Sequence, residues 1–219
     1  MMERGLDHLV YATPDLDTTV KALAARFGVE PAPGGTHPGW GTRNALIGLG
    51  IGVYLEIIGP DLDQPDPERS RPFLIDDLAD ARLVTWAFRH PDPCSIQASR
   101  DSLGDHEVRL GPVHGMSRAR PDGGTLHWRL SDPTALPAGG VVPFVIDWGT
   151  SAHPSSSLPN ECTLIQLIAG HPDPVELRPA LAVFRPLLDG PHAEISIVAA
   201  AEPELRARIQ TPNGEIELG

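Results

Sequence analysis

The chain has 219 residues, of which 41% are hydrophobic and 21% are charged, and this composition is typical of a folded globular protein. The formal net charge of −12 repels the phosphate backbone of nucleic acids, so no nucleic-acid partner is expected. The first residues lack an apolar signal region, and no apolar run is long enough to cross a bilayer. We therefore expect a cytoplasmic protein without membrane contact.

The first predicted elements are a strand over residues 6–12 and a helix that ends at Gly28. Thr13 is a suitable N-cap for this helix. Apolar side chains recur at helical spacing and predict one buried face, formed by Leu16, Val20, Leu23 and Phe27. Short strands are predicted to follow near residues 36–40, 44–49 and 51–58. The order of these elements is β-α-β-β-β.

The start of this unit recurs twice along the chain. Each copy has an apolar strand followed by a proline-marked turn, and the aligned residues Pro14, Pro91 and Pro172 are 77 and 81 residues apart. The last strand of each copy carries one carboxylate among apolar residues, shortly before a glycine, at Glu56, Asp147 and Glu217. Agreement at both ends of the unit indicates a repeated module.

We therefore predict an α+β fold of paired β-α-β-β-β modules with a third, C-terminal copy. The predicted organisation is a first module over residues 1–60, a linker over 61–80, a second module over 81–160 and a C-terminal repeat over 161–219. The linker assignment follows from a proline-rich, acidic composition. In the later copies we expect helices over 93–103 and around 177–188, and strands over 82–88, 112–118, 124–130, 141–148, 193–199, 205–211 and 215–218.

His8 and Glu56 are polar residues on the first and last strands of the first module. Both strands are apolar on both faces, so both side chains are expected to be buried. A buried carboxylate is costly unless it is hydrogen-bonded, protonated or bound to a cation. Imidazole and carboxylate together are ligands for divalent zinc, iron, manganese, cobalt or nickel. The alternatives are a core histidine bonded to the backbone and a carboxylate that faces water in a cleft.

The β-α-β-β-β order, the histidine on the first strand and the glutamate on the last resemble the vicinal-oxygen-chelate superfamily. Within it, the chain is similar to the glyoxalase-like domain group in three segments: GGTHPGWGTRN from Gly34, VYLEII from Val53 and PFVIDWG from Pro143. The resemblance covers about residues 5–170. It implies two modules whose sheets enclose a cleft, where residues of the first and last strands hold a divalent metal that chelates adjacent oxygens of a substrate.

Carried over residue by residue, the resemblance implies metal ligands at His8 and Glu56 in the first module and at Asp147 in the second. The first-strand position of the second module is Thr85, whose neutral hydroxyl is a poor ligand for a divalent ion. The implied site is therefore an open one with three ligands, one completed by a loop histidine, or one that has lost its metal.

Other side chains are candidates for catalysis or substrate contact. His37 and His153 each precede a proline in a loop, and either imidazole can act as a general base, with His37 as the candidate proton carrier. Arg43 can hold a carboxylate or carbonyl oxygen of a substrate, and Trp40 and Trp148 can line an apolar pocket. The alternatives are loop histidines fixed by turns, a solvated arginine and tryptophans in the core.

The first functional hypothesis is an enzyme that uses a divalent metal ion (Zn, Fe, Mn, Ni or Co) as a Lewis acid on a small molecule with vicinal oxygens. Glu56 is then a ligand and possible base, and His8 is a ligand. An isomerase, a lyase and a dioxygenase all stay open, because the fold does not determine the reaction.

Two other hypotheses use the same cleft. One is a metal-free protein that sequesters a small apolar ligand, which Thr85 favours and the pair of His8 and Glu56 opposes. The other is a structural or regulatory partner with a vestigial cleft. The third copy offers Gln166 and Glu217 at the ligand positions, and we expect it to pack structurally or to pair across a homodimer.

Overall fold

The computed structural model describes residues 5–90, 98, 101, 109–119, 123–184 and 193–219. The predicted helix over 93–103 lies outside these residues except for Ala98 and Asp101, which are helical. The described chain is a mixed α+β structure dominated by strands, which confirms the predicted fold class.

One curved sheet contains the first eight strands. They are β1 (Gly5–Ala12), β2 (Ala32–His37), β3 (Thr42–Gly48), β4 (Tyr54–Pro60), β5 (Arg82–Arg89), β6 (Val113–Ala119), β7 (Thr125–Ser131) and β8 (Phe144–Asp147). Their order is β2-β3-β4-β1-β5-β8-β7-β6, so the two halves of the sheet pair their strands in the same way and meet where β1 runs antiparallel to β5. The two outer strands, β2 and β6, also come into contact, and the sheet is nearly closed into a barrel.

Helix α1 (Leu16–Phe27) packs on the outer face of the first half of the sheet. Its N-cap is Asp15, whose carboxylate accepts a hydrogen bond from the backbone N–H of Thr18 at 3.1 Å, and not Thr13 as the sequence suggested. The hydroxyl of Thr13 instead accepts from the backbone N–H of Asp15 at 3.1 Å. Gly28 ends the helix with a φ of 75°, a conformation that glycine adopts without strain.

The central strands separate two apolar cores. Residues of β1 such as Leu9 and Tyr11 face the outer core, whereas Val10 and Ala12 face the inner one, because successive side chains of a strand point to opposite faces. The inner core is enclosed by the curvature of the sheet. Since β1, β4 and β5 are covered on both faces, they read in the sequence as continuous apolar runs.

The C-terminal part forms a separate sheet from β9 (Thr163–His171), β10 (Glu194–Ala199), β11 (Glu204–Thr211) and β12 (Gly214–Leu218), with helix α2 (Pro174–Ala182) after β9. The order along the chain is the predicted one, but the pairing order is β10-β9-β11-β12. In the first half of the large sheet the first strand pairs with the last, and here β11 lies between them. Gln166 and Glu217 are therefore separated by Arg208, which pairs with both residues across the sheet.

The C-terminal sheet covers the outer core of the large sheet. Apolar side chains of β9 and β11, including Leu164, Leu167 and Ile209, belong to the same buried cluster as Leu9 and Trp86. The sheet is also tied to helix α1, where the side-chain amide of Asn213 donates to the carbonyl of Ala25 at 3.0 Å. This part of the chain therefore has a packing role, which is one of the two roles expected for it.

The segment predicted as a linker packs into the inner core. It contains a kinked run of turns over Pro72–Asp77, in which Phe73 and Ile75 are buried. The backbone N–H of Phe73 donates to the carbonyl of Pro133 at 3.0 Å, and its ring lies 5.6 Å from that of Phe144. The segment thus closes one side of the inner core in addition to joining the two halves of the sheet.

Among the residues described, no helix combines the length and the apolar character needed to span a lipid bilayer.

Candidate active site

The inner face of the large sheet surrounds a narrow cleft that opens to solvent. Both halves of the sheet and the segment around Phe73 contribute to its wall. The lining residues are His8, His37, Asn44, Tyr54, Glu56, Ile58, Pro72, Phe73, Met116, Arg118, Trp128, Leu130, Phe144, Ile146, Trp148 and Pro154. The site therefore combines a small set of polar groups with a mainly aromatic and aliphatic wall, as is typical of small-molecule sites.

A β-bulge in β1 brings Asp7 and His8 to the same polar cluster. Leu6 pairs with Phe88 and His8 pairs with Ala87, so Asp7 has no partner residue of its own across β5. A bulge of this kind changes the direction of side chains that regular alternation would send to opposite faces. As a result, the carboxylate of Asp7 lies 2.6 Å from Nδ1 of His8.

Asp7 is fully buried and is surrounded by hydrogen-bond donors. Its Oδ2 atom lies 3.0 Å from Nε2 of His153, 3.1 Å from the indole nitrogen of Trp148 and 3.2 Å from the guanidinium of Arg89. Burial by itself raises the pKa of Asp7, but the charge and hydrogen bond of His153, together with the hydrogen bond of His8, outweigh burial and hold the pKa far below its usual range. Asp7 is therefore ionised.

The ionised Asp7 determines which proton His8 carries. Because Oδ1 of Asp7 can only accept, Nδ1 of His8 is the donor, and Nε2 of a neutral imidazole is left with a lone pair. Nε2 faces the cleft and lies 3.6 Å from Oε2 of Glu56. The ring of His8 is held in place by Tyr54, which stacks on it at 4.7 Å. Two acceptors thus lie side by side, an arrangement that suits a shared proton, a cation or a donor group of a ligand.

Asn44 connects Glu56 to a buried cation. Its amide nitrogen donates to Oε1 of Glu56 at 2.5 Å, and its Oδ1 accepts from Nη1 of Arg118 at 3.2 Å. Arg118 reaches this position because β6 passes close to Gly34, where a Cβ atom would lie 2.6 Å from Nη1 of Arg118 and 1.9 Å from Oδ1 of Asn44. The polar groups of the cleft therefore form one connected patch from Arg118 to His8.

His37 lies at the edge of this patch and is fully buried. Its Nδ1 atom is 2.9 Å from the hydroxyl of Thr42, and its Nε2 atom is 3.5 Å from the amide nitrogen of Asn44. Burial lowers the pKa of His37 to about 4, although the charge of Glu56 acts in the opposite direction. The imidazole of His37 is therefore uncharged near neutral pH.

This burial predicts an acid-sensitive fold. In the unfolded chain a histidine has a pKa of about 6.5, so below that pH the unfolded state binds a proton that the folded His37 does not bind. The free energy of unfolding should fall by roughly 1.4 kcal/mol per pH unit from this residue alone between pH 6.5 and its folded pKa of about 4. Urea unfolding at pH 7 and pH 5 should show a loss about 2 kcal/mol larger in the wild type than in His37→Gln.

The matched control is His127→Gln, because His127 is an exposed residue of β7. This variant should show the same pH dependence as the wild type. An equal loss in the free energy of unfolding from pH 7 to pH 5 in the wild type and in His37→Gln would contradict the lowered pKa of His37.

The structure brings together some of the sequence-predicted site residues. His8, Glu56, His37 and Trp148 line the cleft. His153 adjoins the cleft from behind: its Nε2 faces Asp7, and its Nδ1 lies 2.7 Å from the hydroxyl oxygen of Ser155. It therefore contacts a residue that supports the site from behind, and it does not line the open space of the cleft.

Three other candidates lie away from the cleft. Asp147 is on the opposite face of β8 from Ile146, and its carboxylate accepts from Arg129 at 3.0 Å. Arg43 is partly exposed and forms an ion pair with Asp17 of α1 at 2.9 Å. Trp40 lines a different surface depression, where the guanidinium of Arg69 lies 4.9 Å from its ring. Alternation along β3 and β8 explains the placement of Arg43 and Asp147, since Asn44 and Ile146 take the cleft-facing positions.

The implied four-ligand metal site does not fit the residues present. Glu56 pairs with Val10 in the first half, and Ala87, which lies 77 residues after Val10, pairs with Phe144 in the second half. Phe144, and not Asp147, thus occupies the position that corresponds to Glu56. Thr85 donates its hydroxyl proton to the carbonyl of Gly140 at 3.2 Å.

At the positions where metal ligands were implied, the second half of the sheet therefore supplies a phenyl ring and a hydroxyl that is already hydrogen-bonded to the backbone. Within the described ranges, no three side chains of His, Cys, Asp or Glu are grouped so as to hold a metal ion. The two acceptors of His8 and Glu56 are a possible metal-binding pair, but they do not make a complete set.

Four residues that sequence reasoning missed complete the site: Asp7, Asn44, Arg89 and Arg118. A signal for Asp7 was present, because a carboxylate next to a histidine in an otherwise apolar strand has to be satisfied by partners when it is buried. Arg89 and Arg118 had no comparable local signal, since each lies near the end of its strand, where charged residues are common.

The nearly closed sheet of two like halves around a cleft, with a histidine on the first strand and a glutamate on the fourth, defines the class as the vicinal-oxygen-chelate fold. The family model described as "Glyoxalase-like domain" matches residues 6–184. The chain therefore belongs to the glyoxalase-like domain family, as its sequence resemblance suggested. No curated protein is similar to the chain in sequence.

Solved structures with the same fold include a hypothetical protein from Staphylococcus aureus, which has a TM-score of 0.66 and 14% identity over 91% of this chain and 87% of that one. Methylmalonyl-CoA epimerase from Mycobacterium tuberculosis has a TM-score of 0.43 and 19% identity over 70% and 92% of the two chains. A Streptomyces coelicolor methylmalonyl-CoA epimerase in complex with 2-nitronate-propionyl-CoA has a TM-score of 0.44 and 20% identity over 68% and 96%. At 14% identity, the similarity to the Staphylococcus aureus protein shows the fold alone.

Proposed function

We propose that this chain is an enzyme of the glyoxalase-like type that moves a proton on a small molecule with vicinal oxygens, bound in the cleft of the large sheet. The observation that supports this proposal most directly is the pair of acceptors formed by Nε2 of His8 and Oε2 of Glu56, 3.6 Å apart at the wall of the cleft. Such a pair can accept a proton from a substrate and return it to another position, which is the chemistry of an isomerase or a lyase.

The groups around this pair give each side chain a role. Asp7 holds the proton of His8 on Nδ1 and stabilises the imidazolium that forms when Nε2 accepts a proton. Asn44 orients the carboxylate of Glu56, which acts as the second proton acceptor. Arg118 supplies positive charge for an oxygen that becomes negative during the reaction. A pKa of about 4 makes His37 a weak base, so its role is to position Asn44 and not to carry the proton.

An exchange assay tests the proposal. A panel of 2-hydroxy acids, 2-oxo acids and hydroxyketones in D₂O is followed by proton NMR for deuterium incorporation at the carbon next to the carboxyl or keto carbon. The wild type should catalyse exchange on at least one of them. His8→Asn and Glu56→Gln should each reduce the rate by about 10²- to 10⁴-fold, while the melting temperature stays close to that of the wild type. The matched control is Glu204→Gln, an exposed residue of β11, which should leave the rate unchanged.

Exchange that survives in both variants would contradict the assignment of His8 and Glu56. Ligand binding in the cleft without exchange on any compound would instead favour the metal-free sequestration protein. The same proposal includes the small-molecule partner and the homodimer expected from the sequence. Light scattering of the purified chain measures whether it is a dimer.

A divalent metal is a second candidate, favoured by the two adjacent acceptors of His8 and Glu56. These residues would be its only ligands from the described wall of the cleft, so binding is expected to be weak. Metal analysis of the purified protein tests it: a stoichiometric metal that is lost in both His8→Asn and Glu56→Gln would support the metal, and equal metal content in all three proteins would remove it from this site.

A further inference from the structure

The kinked run of turns over Pro72–Asp77, here called the gate segment, adjoins two open spaces of different size. Phe73 lines the cleft of the large sheet, whereas Leu74 and Asp76 line the surface depression beside Trp40. The free space measures about 30 Å³ in the cleft and about 360 Å³ in the depression. Pockets that hold small molecules measure about 300–1,000 Å³, so the cleft in this conformation is too small for such a ligand.

We propose that the gate segment controls access to the cleft: Phe73 closes it, and outward movement of Phe73 joins it to the depression, so that a ligand reaches His8 and Glu56. This gate deepens the proposed function and rests on it, because it serves the same cleft. Three features of the segment support the gate: the position of the Phe73 ring, the strain in its backbone and the exposure of the contacts that hold it.

The ring of Phe73 fills space beside the acceptor pair. Phe73 is buried, and its ring centroid lies 5.6 Å from that of Phe144. Phe144 in turn meets the imidazole of His8 edge-on, with the ring centroids 5.5 Å apart. One aromatic side chain thus separates Phe73 from His8, and removal of Phe73 from the wall enlarges the cleft where the acceptors lie.

The backbone of the gate segment is strained at Phe73 and Leu74. Their φ angles are 59° and 56°, and in the described part of the chain Ala138 is the only other non-glycine residue with a positive φ. This region is unfavourable for residues with a Cβ atom, and such strain often marks segments that switch conformation. A return to negative φ relieves the strain and moves the Phe73 ring, while Ile75 keeps the rest of the segment anchored in the inner core.

The polar contacts that hold the gate segment lie at its solvent side. Arg71, directly before the segment, donates from its guanidinium to Asp66 and Asp76 at 2.7 Å each. It also donates to the carbonyl of Gly41 at 3.0 Å. The side chain of Asp66 is 92% exposed, and ion pairs that water reaches contribute little to stability. The segment can therefore be released without breaking the pairing of the large sheet.

Thiol labelling measures access to the cleft without a substrate. Ile146 is buried on the cleft wall, and Ile146→Cys places a thiol there in a chain that also carries Cys94→Ser and Cys162→Ala. Phe73→Ala should raise the rate of labelling by N-ethylmaleimide by about tenfold or more, because local opening limits the labelling of a covered group. In the control, Ile51→Cys replaces Ile146→Cys at a position that is 91% exposed, and Phe73→Ala should leave its labelling rate unchanged. An unchanged rate for the thiol of Ile146→Cys would overturn the role of Phe73.

Two substitutions at Leu74 distinguish a moving gate from a fixed wall. Leu74 is 38% exposed, so little packing is lost when its side chain changes. Glycine adopts a φ of 56° without strain, whereas a β-branched residue is more strained there than leucine. Leu74→Gly should slow labelling of the thiol of Ile146→Cys by about threefold or more, and Leu74→Val should accelerate it by about the same factor. Equal rates, or the reverse order, would overturn the movement.

Hydrogen exchange of the Phe73 amide tests the movement in the wild type, so the result does not depend on the folding of any variant. This N–H donates to the carbonyl of Pro133 at 3.0 Å. Local opening should let it exchange about 100-fold faster than the paired amides of β1, as measured by NMR. Arg71→Gln should accelerate it about fivefold further, whereas Arg69→Gln, which removes the guanidinium over Trp40, should not. Exchange as slow as that of β1 would overturn the gate.

Thiol labelling and amide exchange measure movement, whereas deuterium incorporation into a substrate measures proton transfer, so the two proposals can fail separately. Movement of the gate segment without deuterium incorporation into any compound would contradict proton transfer and leave the gate in place. Deuterium incorporation by a chain whose Phe73 amide opens only on global unfolding would contradict the gate and leave proton transfer in place.

Discussion

Asp7→Asn should destabilise the protein by about 3–5 kcal/mol at pH 7, which is the expected cost of removing one partner from a buried charge network. The carboxylate of Asp7 is fully buried and is close to donors on Arg89, His153, Trp148 and His8. Asparagine has almost the same shape, so the loss comes from charge and not from packing. The measurement is the free energy of unfolding in urea.

The effect of Asp7→Asn should depend on pH in a defined direction. The pKa of Asp7 is lowered in the folded state, so its stabilisation is fully present above the unfolded value of about 3.9 and is lost as the pH falls below it. The difference between the wild type and the variant should therefore shrink from pH 7 to pH 3. Asp63→Asn, at an exposed position, should change the stability by less than about 0.5 kcal/mol and serves as the control. A difference below about 1 kcal/mol for Asp7→Asn at pH 7 would contradict the network.

Gly34→Ala should disable the site while leaving the fold largely intact. The added Cβ would lie 1.9 Å from Oδ1 of Asn44 and 2.6 Å from Nη1 of Arg118, and both atoms are the ends of side chains that can move aside. The displaced Asn44 would no longer orient Glu56. Losing a hydrogen bond to a charged group costs roughly 1.5–3 kcal/mol, which corresponds to about a tenfold to hundredfold loss in affinity or rate.

Gly115→Ala is the matched control for Gly34→Ala, because Gly115 lies on the same strand as Arg118 and a Cβ there meets no atom within 4 Å. It should keep wild-type activity and stability. Gly35→Ala should instead destabilise the fold itself, because its Cβ would lie 2.2 Å from the backbone oxygen of Ala119. A crystal structure of Gly34→Ala with Asn44 in its original place, together with unchanged exchange rates, would contradict the prediction.

The general architecture could be predicted from the sequence because it depends on local patterns. The strand positions, the first helix and its end at Gly28 agree with the structure to within a few residues. Continuous apolar runs indicated central strands covered on both faces, and β1, β4 and β5 are such strands. These patterns could not predict the pairing order of the C-terminal sheet, because the same elements along the chain are compatible with more than one order of strands in the sheet.

The candidate site could be predicted only in part. His8 and Glu56 were found because each is a polar residue in an apolar strand, and the structure places both at the cleft. Asp147 looked equivalent to Glu56 by its distance from a glycine, but the pairing register places Phe144 at that position. A register is determined by contacts between strands that are distant in sequence, so spacing along one strand could not reveal it.

The sequence by itself determined the class of fold and two of the polar residues that face the cleft, and its net charge gave no reason to expect a nucleic-acid partner. Hydrophobic periodicity, isolated polar residues and net charge are all properties of the chain. Tertiary structure alone decided that Asp7 joins His8 and that Arg118 reaches Asn44. The first depends on a bulge in the pairing of β1 with β5, and the second on the close approach of β6 to Gly34. Both arise from contacts between segments far apart in the chain, which no local pattern encodes.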